Sequence, residues 1–170
     1  VMDEVLELLL DLNATDDQFN SPTVFCSGRH GTASYGPDEM GTDLTPLFET
    51  IINYIDAPQG SAEEPLQLLV SSIDYNEYVG RIGVGKVDNG TISVNQEVII
   101  VNHHEPEKQT KVKVSKLYEF DGLNKVEVKS AEIGSIVAIS GIQDIHIGDT
   151  LCAVDHVEPI PFQKISEPTI

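Results

Sequence analysis

The sequence predicts a mainly β protein preceded by a remnant of an α/β fold, and three observations carry that reading. Beyond residue 65, short apolar runs of strand type recur at close spacing, separated by turn signals such as Asp88-Asn89-Gly90, Asp121-Gly122 and Gly148-Asp149. Before residue 60, two helical periodicities flank one buried-strand run. Between the parts lies "DAPQGSAEEP" (56–65), with the Pro, Gly, Ser and acid content of a linker.

In "MDEVLELLLDLNA" the residues Val5, Leu8, Leu9 and Leu12 fall at i, i+3, i+4 and i+7, the stripe of an amphipathic helix. "SPTVFCS" (21–27) is β-branched and aromatic, as a short buried strand is. A glycine-punctuated loop follows. In "TDLTPLFETIINYI", Leu44, Leu47, Phe48, Ile51, Ile52 and Ile55 mark a second helix face, with Asp43 or Thr45 as cap and Ala57-Pro58 as stop. One strand between two helices leaves its sheet partners unaccounted for, so this part reads as the end of a larger α/β domain. The sequence also opens inside a helical pattern, and we expect it to be a piece of a longer chain.

The second part predicts strands at 66–74, 79–87, 91–94, 96–103, 109–119, 125–128, 135–140 and 150–154. Glu105-Pro106 and Ile133-Gly134 add further turn signals. Many short strands with such turns predict a small barrel. The tail "EPIPFQKISEPTI" (158–170) carries three prolines and reads as extended.

"GRIGVGK" (80–86) imitates the opening of a phosphate-binding P-loop, with Gly80, four residues, then Gly85-Lys86. That chemistry requires a Ser or Thr after the lysine to hold magnesium, and a helix to follow. Here Val87 follows, and then Asp88-Asn89-Gly90, a hairpin-turn signal. Gly80, Gly83 and Gly85 are therefore expected to permit the bends and close strand approach of a small barrel.

Charge is unevenly placed in a chain of net charge −18. Residues 1–65 hold thirteen acids against one base, Arg29; residues 66–170 hold fifteen against nine. That balance excludes a protein that coats nucleic acid, but not a local basic face made from Arg81, Lys86, Lys108, Lys111, Lys113 and Lys116. In "KVKV" (111–114), Lys111 and Lys113 share one strand face, where they either meet phosphates or keep an edge strand from aggregating. Cys26 and Cys152 have no partner at metal-binding spacing and read as reduced thiols of a cytoplasmic protein. No apolar run is long enough for a membrane span. The histidines at 30, 103, 104, 146 and 156 lack zinc-enzyme spacing, and no G-x-S-x-G elbow occurs, so no self-contained catalytic or metal site is expected. One segment stands out. "FCSGRHG" (25–31) ends a buried strand in Ser-Gly, where loop N–H groups of α/β folds commonly meet ligands, although an ordinary strand exit looks the same.

Together these stretches resemble a translational GTPase, most closely the TypA/BipA family. "DEVLELLLDLNATDDQFNSPTVFCSGRHGTA" resembles the end of that family's G domain. "DYNEYVGRIGVGKVDNGTISVNQEV" and "AEIGSIVAISGIQDIHIGDTLC" resemble the opening and closing strands of the translation-factor domain II β-barrel, and "SEPTI" (166–170) the approach to a third domain. The resemblance implies residues 1–60 as an incomplete C-terminal helix-strand-helix of a P-loop GTPase domain, 61–157 as the barrel, and 158–170 as a linker. It implies that Ser27 and Gly28 occupy the Ser-Ala positions of the fifth G motif, whose amides read the guanine oxygen, with Arg29 flanking the base. Gly28 departs from the usual Ala. GTP or GDP and magnesium are implied for the intact protein and none for this piece, which lacks the P-loop, the switch threonine and the Asn-Lys-x-Asp motif. The implied partner is the ribosome, with Arg81, Lys86, Lys111 and Lys113 as candidate contacts to small-subunit RNA. Apolar helix faces left without their sheet imply self-association of the piece. The alternative is a stand-alone β-barrel protein-interaction module without nucleotide binding.

Overall fold

The computed structural model describes residues 1–39 and 41–163. The chain divides into two compact units between Ala57 and Pro58. The last stretch of the tail, 164–170 with its "SEPTI", lies outside the described residues.

The first unit contains α1 (Met2–Asp11), α2 (Asp16–Phe19), β1 (Phe25–Ser27), β2 (Thr32–Ser34) and α3 (Thr45–Tyr54). The short α2 begins with a capping box: the Thr15 hydroxyl accepts from the Gln18 amide, and the Gln18 side chain accepts from the Thr15 amide. β1 and β2 form an antiparallel hairpin with Ser27 opposite Thr32. At the start of α3 the Asp43 carboxylate accepts the Thr45 N–H at 2.8 Å, and Pro46 stands in the first turn, where its missing N–H costs nothing. Among the described residues of this unit only Ala33 and Ser34 are buried. Leu8, Leu12, Phe48 and Ile52 are all more than half exposed, so the amphipathic stripes read from the sequence form without a core beneath them.

The second unit has the strands β3 (Gln67–Asn76), β4 (Gly80–Asn89), β5 (Thr91–Ser93), β6 (Glu97–Asn102), β7 (Glu105–Lys113), β8 (Lys116–Asp121), β9 (Asn124–Val128), β10 (Ser130–Glu132), β11 (Ile136–Ser140) and β12 (Asp149–Cys152). Eight of them form one antiparallel sheet in the order β7-β6-β12-β3-β4-β11-β8-β9, and β5 pairs with β10. Val112 on β7 and Val128 on β9 stand at opposite ends of that order yet pack against the same core cluster. The sheet is therefore curled into a barrel. The β5/β10 pair ties into it through Val94 N–H to the Lys129 carbonyl (2.9 Å) and Asn95 N–H to the Val114 carbonyl (2.8 Å). Leu68, Val70, Val87, Ile92, Leu117, Ile139 and Leu151 are fully buried in the shared core. Each such side chain contributes about 1.5–3 kcal/mol by leaving water.

Gly83 and Gly85 let this barrel close. A Cβ on Gly85 would stand 2.2 Å from the Leu69 carbonyl oxygen, and one on Gly83 2.4 Å from Ile145 Cδ1. A register shift at Val70/Ser72, beside Gly85, bends β3 there. Gly80 is different: it has open space and φ +75°, and turns the chain into β4. Residues 80–89 are one strand, so the P-loop imitation has neither the loop nor the helix it needs.

Several local expectations are corrected. Asp88-Asn89-Gly90 is not a hairpin, because β5 leaves the main sheet to pair with β10 instead of folding back on β4. The predicted run 109–119 is two strands, broken where Val114 and Ser115 bond to Gln96 and Ser140. The turn expected at Glu105-Pro106 falls one pair earlier, at His103-His104; Pro106 sits within β7, an edge strand that tolerates a missing donor. β1 covers only the last three residues of 21–27, and the loop after it contains β2.

Gly85→Ala is expected to destabilise the barrel by about 3 kcal/mol or more, because the clash is with backbone. Gly83→Ala should cost about 1 kcal/mol, since Ile145 can change rotamer. Urea unfolding of the two variants, followed by far-ultraviolet circular dichroism, checks the order.

Candidate functional site

Two places in the structure carry the residues singled out by the sequence. The first is the β1–β2 turn. Ser27 ends β1 half-buried; Gly28, Arg29 and His30 cross the turn in solvent, and Gly31 closes it at φ +63°. The Ser27 carbonyl accepts the N–H groups of His30 (3.2 Å) and Gly31 (2.9 Å). Among the described residues, no backbone bond takes up the N–H of Gly28 or Arg29 in that turn. Adjacent amides without a backbone acceptor are the kind of group that can bind a carbonyl-type or anionic oxygen.

The turn is braced by a residue that the sequence pattern did not single out. His30 Nδ1 lies 2.9 Å from the Ser27 hydroxyl. Ser27 and His30 both line an open groove of ≈ 360 Å³ with Thr32, Ala33, Pro37 and Glu39, whereas Gly28 and the exposed Arg29 do not. The signal for His30 was its place three residues after Ser27 and just before a glycine, the spacing at which a tight turn brings side chains together.

The second place is the set of bases on the barrel, which the structure does not gather into one patch. Arg81 and Lys86 lie on β4, Lys111 and Lys113 on β7, and β3, β12 and β6 stand between these strands in the sheet order. Arg81 donates to the Ile145 carbonyl at 3.2 Å. Lys86 pairs with Asp88 at 3.2 Å and Lys111 with Glu97 at 2.8 Å. Lys113 forms no salt bridge among the described residues, and its charge weakly favours the ionised Glu97. Lys116 pairs with Glu127, Lys108 with Glu105, and Lys125 reaches Asp74. The dominant effect on Glu97 is its hydrogen bond from Lys111, which holds the carboxyl below the usual range. Lys116 is raised by its bond to Glu127, and Asp74 lowered by Lys125. These are exposed pairs, and such pairs are weak.

Among the described residues no three His, Cys, Asp or Glu side chains converge as a metal site would require. The stretch that resembles a phosphate loop is strand β4. No helix among the described residues is long and apolar enough to cross a membrane.

Residues 80–152 match the family model of elongation factor Tu domain 2, so the barrel has the fold of a translation-factor second domain. Solved structures agree on the fold. The apo elongation factor SelB from Methanococcus maripaludis aligns at TM-score 0.51 and 19% identity over 66% of this chain and 23% of that one. GDP-bound aIF5B from Aeropyrum pernix aligns at TM-score 0.50 and 16% identity over 65% and 20%. The similarity extends beyond the barrel. The large ribosomal subunit assembly factor BipA of Bacillus subtilis (strain 168) is 44% identical over 170 residues, and that of Synechocystis sp. is 41% identical over 169. The Escherichia coli (strain K12) factor is 38% identical over 170. These alignments cover 99–100% of this chain and 28% of each relative. Over its whole length the chain is similar to these BipA factors, of whose own length it spans a little over a quarter.

Glu97 has a lowered pKa in the folded barrel, so its contribution to stability is present above the unfolded-state pKa and is lost as pH falls through the folded one. Lys111→Ala is expected to move the Glu97 titration midpoint up to the ordinary carboxylate range. A carbon-detected pH titration by nuclear magnetic resonance reads this directly; an unmoved midpoint would mean that the pair does not form in solution.

Proposed function

We propose that this chain is the part of a ribosome-associated GTPase that runs from the end of the nucleotide-binding domain through the second-domain barrel. The observation that carries the reading is the 44% identity to the Bacillus subtilis assembly factor over all 170 residues, helices and barrel alike. In this division residues 1–60 close the G domain, 61–157 are the barrel and 158–170 lead toward a third domain. The intact protein binds GTP or GDP with magnesium in the cytoplasm, and its phosphate-binding and switch elements lie in sequence other than these 170 residues.

Within this reading the β1–β2 turn is the guanine-facing element. The N–H groups of Gly28 and Arg29 suit an exocyclic oxygen, and the Gly28 swap is tolerated because the contact is made by main chain. A Cβ at Gly28 would meet nothing within 4 Å, so the position accepts Ala or Gly alike. Arg29 in solvent flanks the base only if the ligand itself draws it in. Alone, the 170-residue chain is expected neither to hydrolyse GTP nor to bind GDP measurably, because phosphoryl transfer depends on positioning groups that this sequence does not contain. Isothermal titration with GDP and a phosphate-release assay on the purified chain test this; clear turnover would defeat the assignment.

The barrel is the RNA-docking module, with Arg81, Lys86, Lys111 and Lys113 as phosphate contacts on two separate strands. Surface carboxylate partners such as the half-buried Asp88 and the exposed Glu97 are readily exchanged for phosphates, since such pairs are weak and salt-screened. The exposed apolar faces of α1 and α3 favour self-association when the rest of the G domain is not there to cover them. Small-subunit RNA is the proposed target, whereas the relatives are named for assembly of the large subunit. Binding to separated small and large ribosomal subunits distinguishes the two. The double variant Lys111→Ala/Lys113→Ala should weaken binding and lower the salt slope by about one for each lysine that meets a phosphate; an unchanged slope would remove these lysines from the interface.

A further inference from the structure

Strand β12 is buried on both faces, although a barrel interior can cover only one. All four of its residues, Asp149 to Cys152, are buried. Leu151 belongs to the barrel core, so by strand alternation Thr150 and Cys152 point outward. Both are nevertheless fully buried, as is Val101, which faces Thr150 across the β6–β12 ladder and alternates with the core residues Val98 and Ile100. A second layer therefore lies over the outside of the barrel at this point.

The hydrogen bonds identify that layer as residues 158–162. Gln67 Nε2 donates to the Glu158 carbonyl at 2.8 Å, and the Cys152 thiol donates to the same oxygen at 3.4 Å. The Ile160 N–H donates to the Thr150 hydroxyl at 3.0 Å. Further on, the Phe162 carbonyl is 3.0 Å from His104 Nε2, which must carry the proton, since a carbonyl only accepts. The Phe162 and His104 rings meet edge-on with centroids 4.9 Å apart. The Phe162 ring also lies against Gly148, where a Cβ would fall 1.9 Å from its Cζ. Gly148 has φ +89° in the turn before β12, so the slot exists because that turn carries glycine.

We propose that residues 158–163 are a strap belonging to the barrel, latched by Phe162 in the slot between His104 and Gly148, and that release of the latch frees the chain beyond the barrel. With the latch closed, β12 fixes where the chain stands at Gln163. With it open, the tether gains roughly 20 Å of reach at ~3.3 Å per residue. The strap is suited to local opening because, among the described residues, it is held by bonds between backbone and side chains and by one ring, without a strand ladder. This inference uses only the barrel and does not depend on nucleotide or ribosome binding.

Cys152 reports the state of the strap. It lies beneath Glu158, and burial pushes its thiol up, so that the closed form is slow to react. The sequence has two cysteines, and Cys26→Ser leaves Cys152 as the single thiol. In that background, the full chain is labelled with a maleimide at neutral pH over a series of low urea concentrations. Phe162→Ala is expected to raise the Cys152 labelling rate by about tenfold or more, with little urea dependence, the mark of local opening. His104→Ala should raise it by a smaller factor, and His104→Gln, which keeps a donor for the Phe162 carbonyl, should restore the slow rate. Circular dichroism of each variant should stay native. Labelling of Phe162→Ala at the parent rate would overturn the proposal. So would an increase that appears only with the steep urea dependence of global unfolding. A His104→Ala rate equal to the parent's would remove the latch.

Discussion

The whole barrel depends on the close approach of β3 and β4 at Gly85. There the Leu69 carbonyl occupies the space that any side chain on Gly85 would need, and the register shift beside it bends β3. β3 and β4 are the longest pair in the sheet, joining the β7-β6-β12 half to the β11-β8-β9 half. If they could not approach and bend, the two halves would flatten, and Val112 and Val128 could not reach a common core. Of the glycines that imitate a phosphate loop, Gly83 and Gly85 therefore serve closure, and Gly80 the turn into β4. On β4, Gly85 meets the Leu69 backbone and Gly83 meets Ile145.

The two units differ in what holds them. The second has a shared apolar core, drawn from most of its strands, in which side chains such as Leu68, Leu117 and Leu151 are wholly withdrawn from water. The first relies on local devices: the capping box at Thr15, the Asp43 bond to Thr45, a three-pair hairpin, and Tyr35 hydroxyl to Glu49 at 3.2 Å. Local bonds of this kind define elements, but each is worth little net against the entropy of ordering a chain. The apolar stripes on α1 and α3 are the larger resource, and among these residues they remain largely unused.

What the sequence made legible follows the range of the forces involved. Both long helices, most strand runs and the turns at Gly122, Gly134 and Gly148 depend on neighbours a few residues away, and these appear where the pattern placed them. The elements that escaped are decided by distant partners. β10 is three residues with no pattern of its own and exists because it pairs with β5. The break at Val114-Ser115 is made by Gln96 and Ser140, not by any local breaker. Pro106 looked like a turn because the sequence could not show that its strand is an edge. At the β1–β2 turn, Ser27 and Gly28 were visible as a strand exit, but the His30 brace needs the turn's geometry to bring a ring nitrogen to the hydroxyl. Likewise, Pro159 and Pro161 indicated extended chain and could not show that residues 158–162 lie along β12.

Charge sets the remaining constraint on any contact with RNA. Apart from Arg29, every Lys and Arg lies at residue 81 or beyond, yet that part of the chain still has more acids than bases. Most barrel lysines already face a carboxylate: Lys86 with Asp88, Lys111 with Glu97, Lys116 with Glu127. At distances beyond the Debye length, about 8 Å in physiological salt, such pairs look neutral and the chain as a whole repels a polyanion. Attraction can develop only at contact, when a phosphate takes the place of a carboxylate beside the ammonium. A surface built this way does not steer partners from afar. Under the proposed RNA contact it would discriminate by whether the phosphates arrive at the spacing of the lysines.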